Sequence, residues 1–334
     1  RDFNSNNVKK SNLTKNDKAT LKSVEDSQAH TKEVGFKEKH FGTTNCIVIP
    51  RLKKSMIPTG WRDRVYNFLN SHPDHHTETA ISEGIILGKR LGKKLQIRNE
   101  ERSTKWTRQD SGRIDKRLIA ELGFDNSNVF SQTNIEKYDD AYIHISLDAS
   151  GSMSGTNWNN ALKTAAAISQ ASSMTTNIHV QVTLRTTQET GKDYLPIICT
   201  IYDSKINKMI HIKNTWKYLT TCGTTPEGLC FQAIKDQIIK SANGKDSYFL
   251  NLSDGQPWFA NKYIRYSHRA AFTHTRKQVE DFKKIGIKVL SFFISNWKED
   301  MTDFKRMYGK DSVSIDPTSL VSLAKVLNKK FLEN

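Results

Sequence analysis

Asp148, Ser150 and Ser152 stand at alternate positions in the run DASGS (148–152), with Gly151 between the two serines. A carboxylate and two hydroxyls spaced this way can point into one concavity, and glycine permits the tight backbone that would bring them there. All are hard oxygen donors, suited to Mg²⁺ or Mn²⁺ and not to soft metals. Two later runs carry the same chemistry. CGTTPEG (222–228) offers a threonine hydroxyl at the start of a helical pattern, and NLSDG (251–255) offers a second carboxylate, Asp254, at the end of an apolar run. Two carboxylates and three neutral hydroxyls only partly satisfy a hard cation that takes six ligands. Waters would complete the shell until an acidic side chain from outside displaced one. No His, Lys or third acid in these loops is an evident general base, so the chemistry read here is recognition and no catalytic residue is assigned.

Such donors need elements that bring them together. AYIHISLD (141–148) reads as a buried strand ending on Asp148, and the Ala-rich NNALKTAAAISQASSM that follows is a strong helix former. NIHVQVTL and YLPIICTIY read as strands, PEGLCFQAIKDQIIKSA as a helix, SYFLNLSD as a strand ending on Asp254 and AAFTHTRKQVEDFKKIG as a helix. IKVLSFFIS reads as a last strand and SLVSLAKVLNKKFLEN as a closing helix. This alternation predicts an α/β fold over 141–334: a doubly wound, mostly parallel sheet with helices on both faces. In such sheets ligands bind at the carboxyl ends of strands, where DASGS falls.

The three runs, in this order and spacing, resemble the three loops of the metal-ion-dependent adhesion site of von Willebrand factor A (VWA) domains. The resemblance implies that Asp148, Ser150, Ser152, Thr224 and Asp254 surround a Mg²⁺ or Mn²⁺ ion, with Cys222 in place of the usual first glycine of the second loop. The stretch ahead of the domain, GKRLGKKLQIRNEERSTKWTRQDSGRIDKRLIAELG (88–123), resembles the lead-in of the C-terminal half of cobaltochelatase subunit CobT. That family works with hexameric AAA+ ATPases of the CobS/MoxR type. The resemblance therefore implies such an ATPase, and a large chelatase subunit or another client, as partners of a non-catalytic subunit of an ATP-dependent complex, as in cobalamin biosynthesis. Arg113 and Asp115 match the lead-in, as a structural ion pair or an ATPase contact. The Lys/Asn-rich segment replaces the acidic linker usual in that family, which puts the corrin client in doubt more than the ATPase partnership.

The chain has 334 residues, a formal net charge of +16 and four cysteines. The charge favours acidic partners; nucleic acid is possible but not favoured over a lysine-rich solvated surface. Cys46, Cys199, Cys222 and Cys230 form no CxxC pair, which suits free thiols in a reducing, cytoplasmic setting. No apolar run approaches the ~20 residues that span a bilayer. Because the first residue is Arg1 and not Met, an upstream signal stays open.

Residues 1–40 read as a disordered polar linker and 41–140 as a mainly helical lead-in. WRDRVYNFLN (61–70) puts Trp61, Val65, Phe68 and Leu69 on one helical face. Ile81, Ile85, Leu87, Leu91 and Leu95 form the stripe of a longer helix, and SGRIDKRLIAELG reads as a loop and a short helix ended by Gly123. Within the longer helix GIILGKR (84–90) falls short of a phosphate-binding loop, so any ATP dependence belongs to a partner. His72, His75 and His76 with Asp74 read as polar loop residues, His144 as a core histidine, and Lys89, Arg90, Lys93, Lys94 and Arg98 as a solvated basic face. Trp258 and Phe259 could rim the third loop and meet a partner's anchor. The rival functions are an adhesion-type VWA protein-binding module and a metal-dependent hydrolase using Asp148 and Asp254.

Overall fold

The computed structural model describes residues 22–36, 42–99, 102–136, 140–175, 177–191, 193–242, 244–294, 300–309 and 312–314. In chain order its strands are β1 (His30–Gly35), β2 (Thr43–Ile49), β3 (Arg102–Gln109), β4 (Arg113–Ile114), β5 (Phe130–Glu136), β6 (Ala141–Asp148) and β7 (Ile178–Thr190). There follow β8 (Asp193–Asp203), β9 (Asp246–Ser253), β10 (Phe259–Ala260), β11 (Arg265–Tyr266), β12 (Lys288–Phe293) and β13 (Ser312–Ser314). The principal helices are α1 (His75–Asn99), α2 (Thr156–Ser172), α3 (Met209–Thr215), α4 (Glu227–Ala242), α5 (His268–Lys284) and α6 (Asp300–Tyr308).

Eight strands join one sheet in the order β1-β2-β8-β7-β6-β9-β12-β13. The run β7-β6-β9-β12-β13 is parallel, and β8 returns antiparallel beside β7. Alternate residues of the central strands feed two cores. Ile143, Ile145 and Leu147 of β6, Leu250 and Leu252 of β9, and Leu290 and Phe292 of β12 pack with Ile81 and Ile85 of α1, Trp158 and Leu162 of α2, and Ile212 of α3. Tyr142, Phe249, Val289 and Phe293 point the other way, onto Leu229 and Phe231 of α4, Val279 and Phe282 of α5, and Phe304 of α6. A period of two in the strands under helices of period 3.6 on both faces is the doubly wound α/β arrangement expected.

The stretch 41–140 differs from the mainly helical lead-in expected. β2 pairs with β8 in the main sheet, and β3, β5 and β4 form a separate three-stranded antiparallel sheet. WRDRVYNFLN is not a helix: only Trp61–Asp63 make a 3-10 turn, and Leu69 bridges to Leu219. Phe68 and Leu69 are buried while Trp61 is exposed, so burial and not a helical face decides their roles. The short helix after Asp115 is 3-10, Ile119–Phe124; it passes through Gly123 and stops at Asp125, which takes a left-handed conformation. Of the 1–40 segment, residues 30–35 are the edge strand β1, held by antiparallel pairing to β2 despite their polar sequence. Residues 1–21 and the closing helix expected at 319–334 lie outside the described residues.

Asp74 starts α1, its carboxylate accepting from the His76 amide at 3.0 Å and the Thr77 hydroxyl at 2.9 Å. The helix then packs on α2 through glycine. An added Cβ at Gly84 would lie 2.4 Å from the Lys163 carbonyl, one at Gly88 2.4 Å from the Ala167 carbonyl, and one at Gly92 2.6 Å from the Met174 sulfur. The spacing that came near a phosphate-binding loop is thus a glycine at every fourth residue, one per turn, against an alanine-rich partner helix. Leu87 and Leu91 of the expected stripe are only half-buried, and the side chain of Leu95 is not described.

His144 is wholly buried, stacked on Phe249 at 5.3 Å and hydrogen-bonded to Tyr142 and Thr183. Burial lowers its pKa to about 3, and burial likewise lowers His274 to about 4. Their unfolded values lie near 6.5, so between there and the folded values the unfolded chain binds protons that the folded chain refuses. Stability is therefore expected to fall as pH drops below about 6.5, by roughly 1.4 kcal/mol per pH unit for each histidine while the window lasts. Urea denaturation at pH 7 and pH 5 measures this, and His144→Phe should flatten the loss.

Candidate metal centre

β6 and β9 are neighbours, so Asp148 and the Ser253–Asp254 pair leave the sheet side by side at its carboxyl edge. β7 lies on the other side of β6 and sets Arg185 opposite Asp148 in register. The turn after β6 is tied to the second loop by backbone bonds: the Cys222 amide donates to the Ala149 carbonyl at 2.8 Å and the Gly151 amide to the Gly223 carbonyl at 3.1 Å. Gly223 holds φ +65°, and a Cβ there would run into the Thr187 hydroxyl 1.9 Å away. Only glycine fits that turn. The Thr224 amide then donates to the same Thr187 hydroxyl at 3.1 Å, which fixes where the Thr224 side chain starts.

The Ser150 and Ser152 hydroxyl oxygens are 3.1 Å apart, and Ser152 donates to Asp254 Oδ1, again at 3.1 Å. Asp148 Oδ1 accepts from the Ser150 amide at 3.0 Å, and its Oδ2 from the Ser253 hydroxyl at 2.7 Å. Thr224 Oγ1 is buried and has no hydrogen-bond partner among the described residues. Adjacent ligands of an octahedral Mg²⁺ at 2.0–2.1 Å would stand about 2.9 Å from one another, close to these oxygen spacings. A buried hydroxyl without a partner costs free energy that a cation ligand bond would recover. The donor set, all oxygen and mostly hydroxyl, fits a hard divalent cation. Burial, and then the charge of Asp148, push Asp254 up to about 7. A nearby cation would relieve that repulsion.

Beneath the cluster lies a fully buried arginine that the sequence reading did not single out. Arg185 Nη2 is 2.7 Å from Glu227 Oε1 and 3.5 Å from Asp148 Oδ2, and its Nη1 donates to the Ser146 hydroxyl at 2.9 Å. Its guanidinium sits 5.3 Å from the Phe231 ring. Burial opposes the charge, but the carboxylates of Asp148 and Glu227 outweigh it and hold the arginine pKa above its ordinary value. Glu227 also accepts from Asn251 at 2.8 Å, and Asn251 donates to the Tyr308 hydroxyl at 2.9 Å. Ser253, Thr187, Glu227 and Arg185 are thus the supporting groups. An arginine in the middle of the β-branched run of β7 was the one signal pointing to them.

The remaining candidates separate. Trp258 exchanges backbone hydrogen bonds with Thr225 beside the second loop, and its ring is half exposed. Phe259 is buried in the α4–α5 core and cannot rim the site, because its strand turns it inward against Tyr266. Asp115 does not pair with Arg113. It accepts from the Arg117 amide and faces Lys105 and Arg117 at 3.9 and 3.5 Å, within the small sheet. His72, His75 and His76 are exposed at the start of α1, and among the described residues no group of three or more His, Cys, Asp or Glu side chains is placed to hold a metal. Lys89, Arg90 and Lys93 are exposed; the side chains of Lys94 and Arg98 are not described. All four cysteines are free, three of them buried. Among the described residues no helix is long and apolar enough to cross a membrane.

Fold and site together define a class, a doubly wound α/β domain with an oxygen-donor cluster at the carboxyl edge of its central strands. No protein-family model matches the chain, and no curated protein does. Solved structures to which it is similar include the pilus adhesin SpaC of Lactobacillus rhamnosus GG (TM-score 0.43, 12% identity, 59% of this chain and 31% of that one). They also include the manganese-loaded TRAP protein of Plasmodium vivax (0.41, 13%, 58% and 74%) and a von Willebrand factor type A protein of Catenulispora acidiphila (0.39, 17%, 60% and 45%). The chain thus spans about a third of SpaC. With TM-scores below 0.5, the reading of the site rests on its own geometry.

Proposed function

We propose that this chain is a VWA-type protein-interaction subunit that holds Mg²⁺ or Mn²⁺ on Asp148, Ser150, Ser152, Thr224 and Asp254 and, through the ion, grips a carboxylate of a partner. The observation that carries the reading is the buried Thr224 hydroxyl, without a partner among the described residues, on a loop bonded through Gly223 to the turn whose oxygens are spaced 3.1 Å apart. When bound, the ion would supply Lewis acidity toward an incoming oxygen, and the residues of this chain would position it. Asp148 is oriented by the Ser150 amide and the Ser253 hydroxyl, Ser150 by the turn, and Thr224 by Thr187. Glu227, the third acid nearby, is wholly buried against Arg185 and cannot serve as a base toward a bound substrate, which disfavours the hydrolase reading. In the narrower form of the proposal, resting on the 88–123 lead-in, the carboxylate belongs to a CobS/MoxR-type AAA+ ATPase or its client, as in a cobaltochelatase-like complex.

Calorimetric titration with Mn²⁺ and Mg²⁺ tests the metal reading. Binding is expected at one site and should vanish in Asp148→Ala. Thr224→Val should weaken Mn²⁺ binding yet leave the metal-free protein at least as stable, because it removes a buried oxygen that has no partner. Unchanged Mn²⁺ affinity in both variants would remove the ion from this site. Capture of an ATPase that requires both Mg²⁺ and Asp148 would then bear on the narrower form.

A further inference from the structure

Among its described side chains, the small sheet β3-β5-β4 has almost no core of its own. Between residues 105 and 133 the buried side chains are Asp115, Val129 and Ser131, and only Val129 is apolar. Five large apolar residues instead face solvent: Trp106, Ile114, Ile119, Leu122 and Phe124, the last 84% exposed. Ile119 and Leu122 are three apart on a 3-10 helix and so share one side of it. A sheet of three strands normally needs a covered apolar face to be stable, and this concentration of exposed large side chains in so short a stretch marks an interaction surface.

The charge beside the apolar residues selects the partner. A cavity of about 950 Å³ is lined by Lys105, Trp106, Arg113, Ile114, Lys116 and Arg117, among others, with Asp115 its one acid. Asp115 is already engaged by Lys105 and Arg117, while Arg113 and Lys116 form no ion pair among the described residues. Two exposed cations without counter-ions therefore flank a half-exposed tryptophan and an isoleucine. Nucleic acid would use the cations and stack on Trp106, but it has no use for Ile114 beside them, and Arg108 is spent on Glu121 in a bidentate pair at 2.9 and 3.0 Å. Aliphatic and aromatic side chains next to unpaired cations suit a protein segment that alternates apolar residues with carboxylates.

We infer that the sheet of residues 102–136 is a docking surface for an acidic, apolar protein segment. It acts independently of the metal centre and does not rest on the metal reading. Fluorescence anisotropy with the full chain tests it, using three labelled probes: a 15-residue peptide of alternating Glu and Leu/Phe, the same peptide with Lys for Glu, and the oligonucleotide dT15. The Glu peptide should bind, in a salt-sensitive manner, at least tenfold more tightly than the Lys peptide and dT15. Arg113→Glu with Lys116→Glu should weaken it tenfold or more, and Trp106→Ser should do so without removing the salt dependence. Both variants alter exposed side chains, and an unchanged Tm confirms that they fold. EDTA and Asp148→Ala should leave the affinity unchanged, which separates failure here from failure of the metal reading. Equal binding of the two peptides, tighter binding of dT15, no binding at all, or indifference to the substitutions would each overturn the inference.

Discussion

Replacing Arg185 with methionine is expected to cost about 3–5 kcal/mol of stability, and replacing Glu227 with glutamine in the same chain to return much of it. The reasoning lies in what each change leaves behind. Arg185 and Glu227 are both wholly buried and 2.7 Å apart, so removing the guanidinium strands a carboxylate in the interior, close to Asp148. Neutralising Glu227 as well removes the stranded charge and keeps an oxygen to which Asn251 can donate. Urea denaturation of the two single variants and the double variant gives the coupling energy by a double-mutant cycle, which should exceed about 1 kcal/mol in magnitude for groups in contact. Costs that simply added would mean that the pair does not act as a unit.

Gly88→Ala is expected to destabilise the protein even though alanine is the better helix former by about 1 kcal/mol. The new methyl would lie 2.4 Å from the Ala167 carbonyl and 2.6 Å from the Gln170 Cβ, and a backbone atom cannot swing aside. Overpacking of this kind costs about 1–3 kcal/mol, and Gly88→Leu should cost more because α1 would have to lift off α2. Thermal unfolding of both variants checks the order, with Gly123→Ala as the reference, since a Cβ there meets nothing within 4 Å. Gly88→Ala melting above the wild type would show that the helices have room to part.

The sequence made the parallel body legible because its strands end on marked residues. Asp148 and Asp254 close two apolar runs, and neighbouring strands carry them to one edge. The choice of Thr224 over Thr225 came from the family resemblance and not from the strand pattern, since both hydroxyls stand at the start of the same helix. Arg185 was not: an arginine in a strand reads as solvent-facing until its register opposite Asp148 and the depth of Glu227 are known. Phe259 was misplaced because exposure in a two-residue strand depends on which partner it finds, here Tyr266. The lead-in was misjudged most. Its strands are polar, RSTKWTRQ and FSQTNIE, and a small, mostly exposed sheet lacks the alternation that announces a strand. The glycines of α1 carried a signal that periodicity of large residues cannot register, because there the contact is made by the absence of a side chain.

The position of β2 governs the order of assembly. Ile47 pairs with Ile197, so an early segment of the chain completes the edge beside β8, with α1, the small sheet and the centre of the fold lying between them in sequence. Closing so long a loop is entropically slow, and the pairing belongs late in folding, after β6, β7 and β8 have gathered. Until then β8 presents an open edge with Ile197, Ile198 and Cys199 along it, all of which become buried in the finished protein. A truncated chain lacking residues 30–49 would keep that edge available to strands of other molecules, and self-association through β8 is the hazard that the early segment removes.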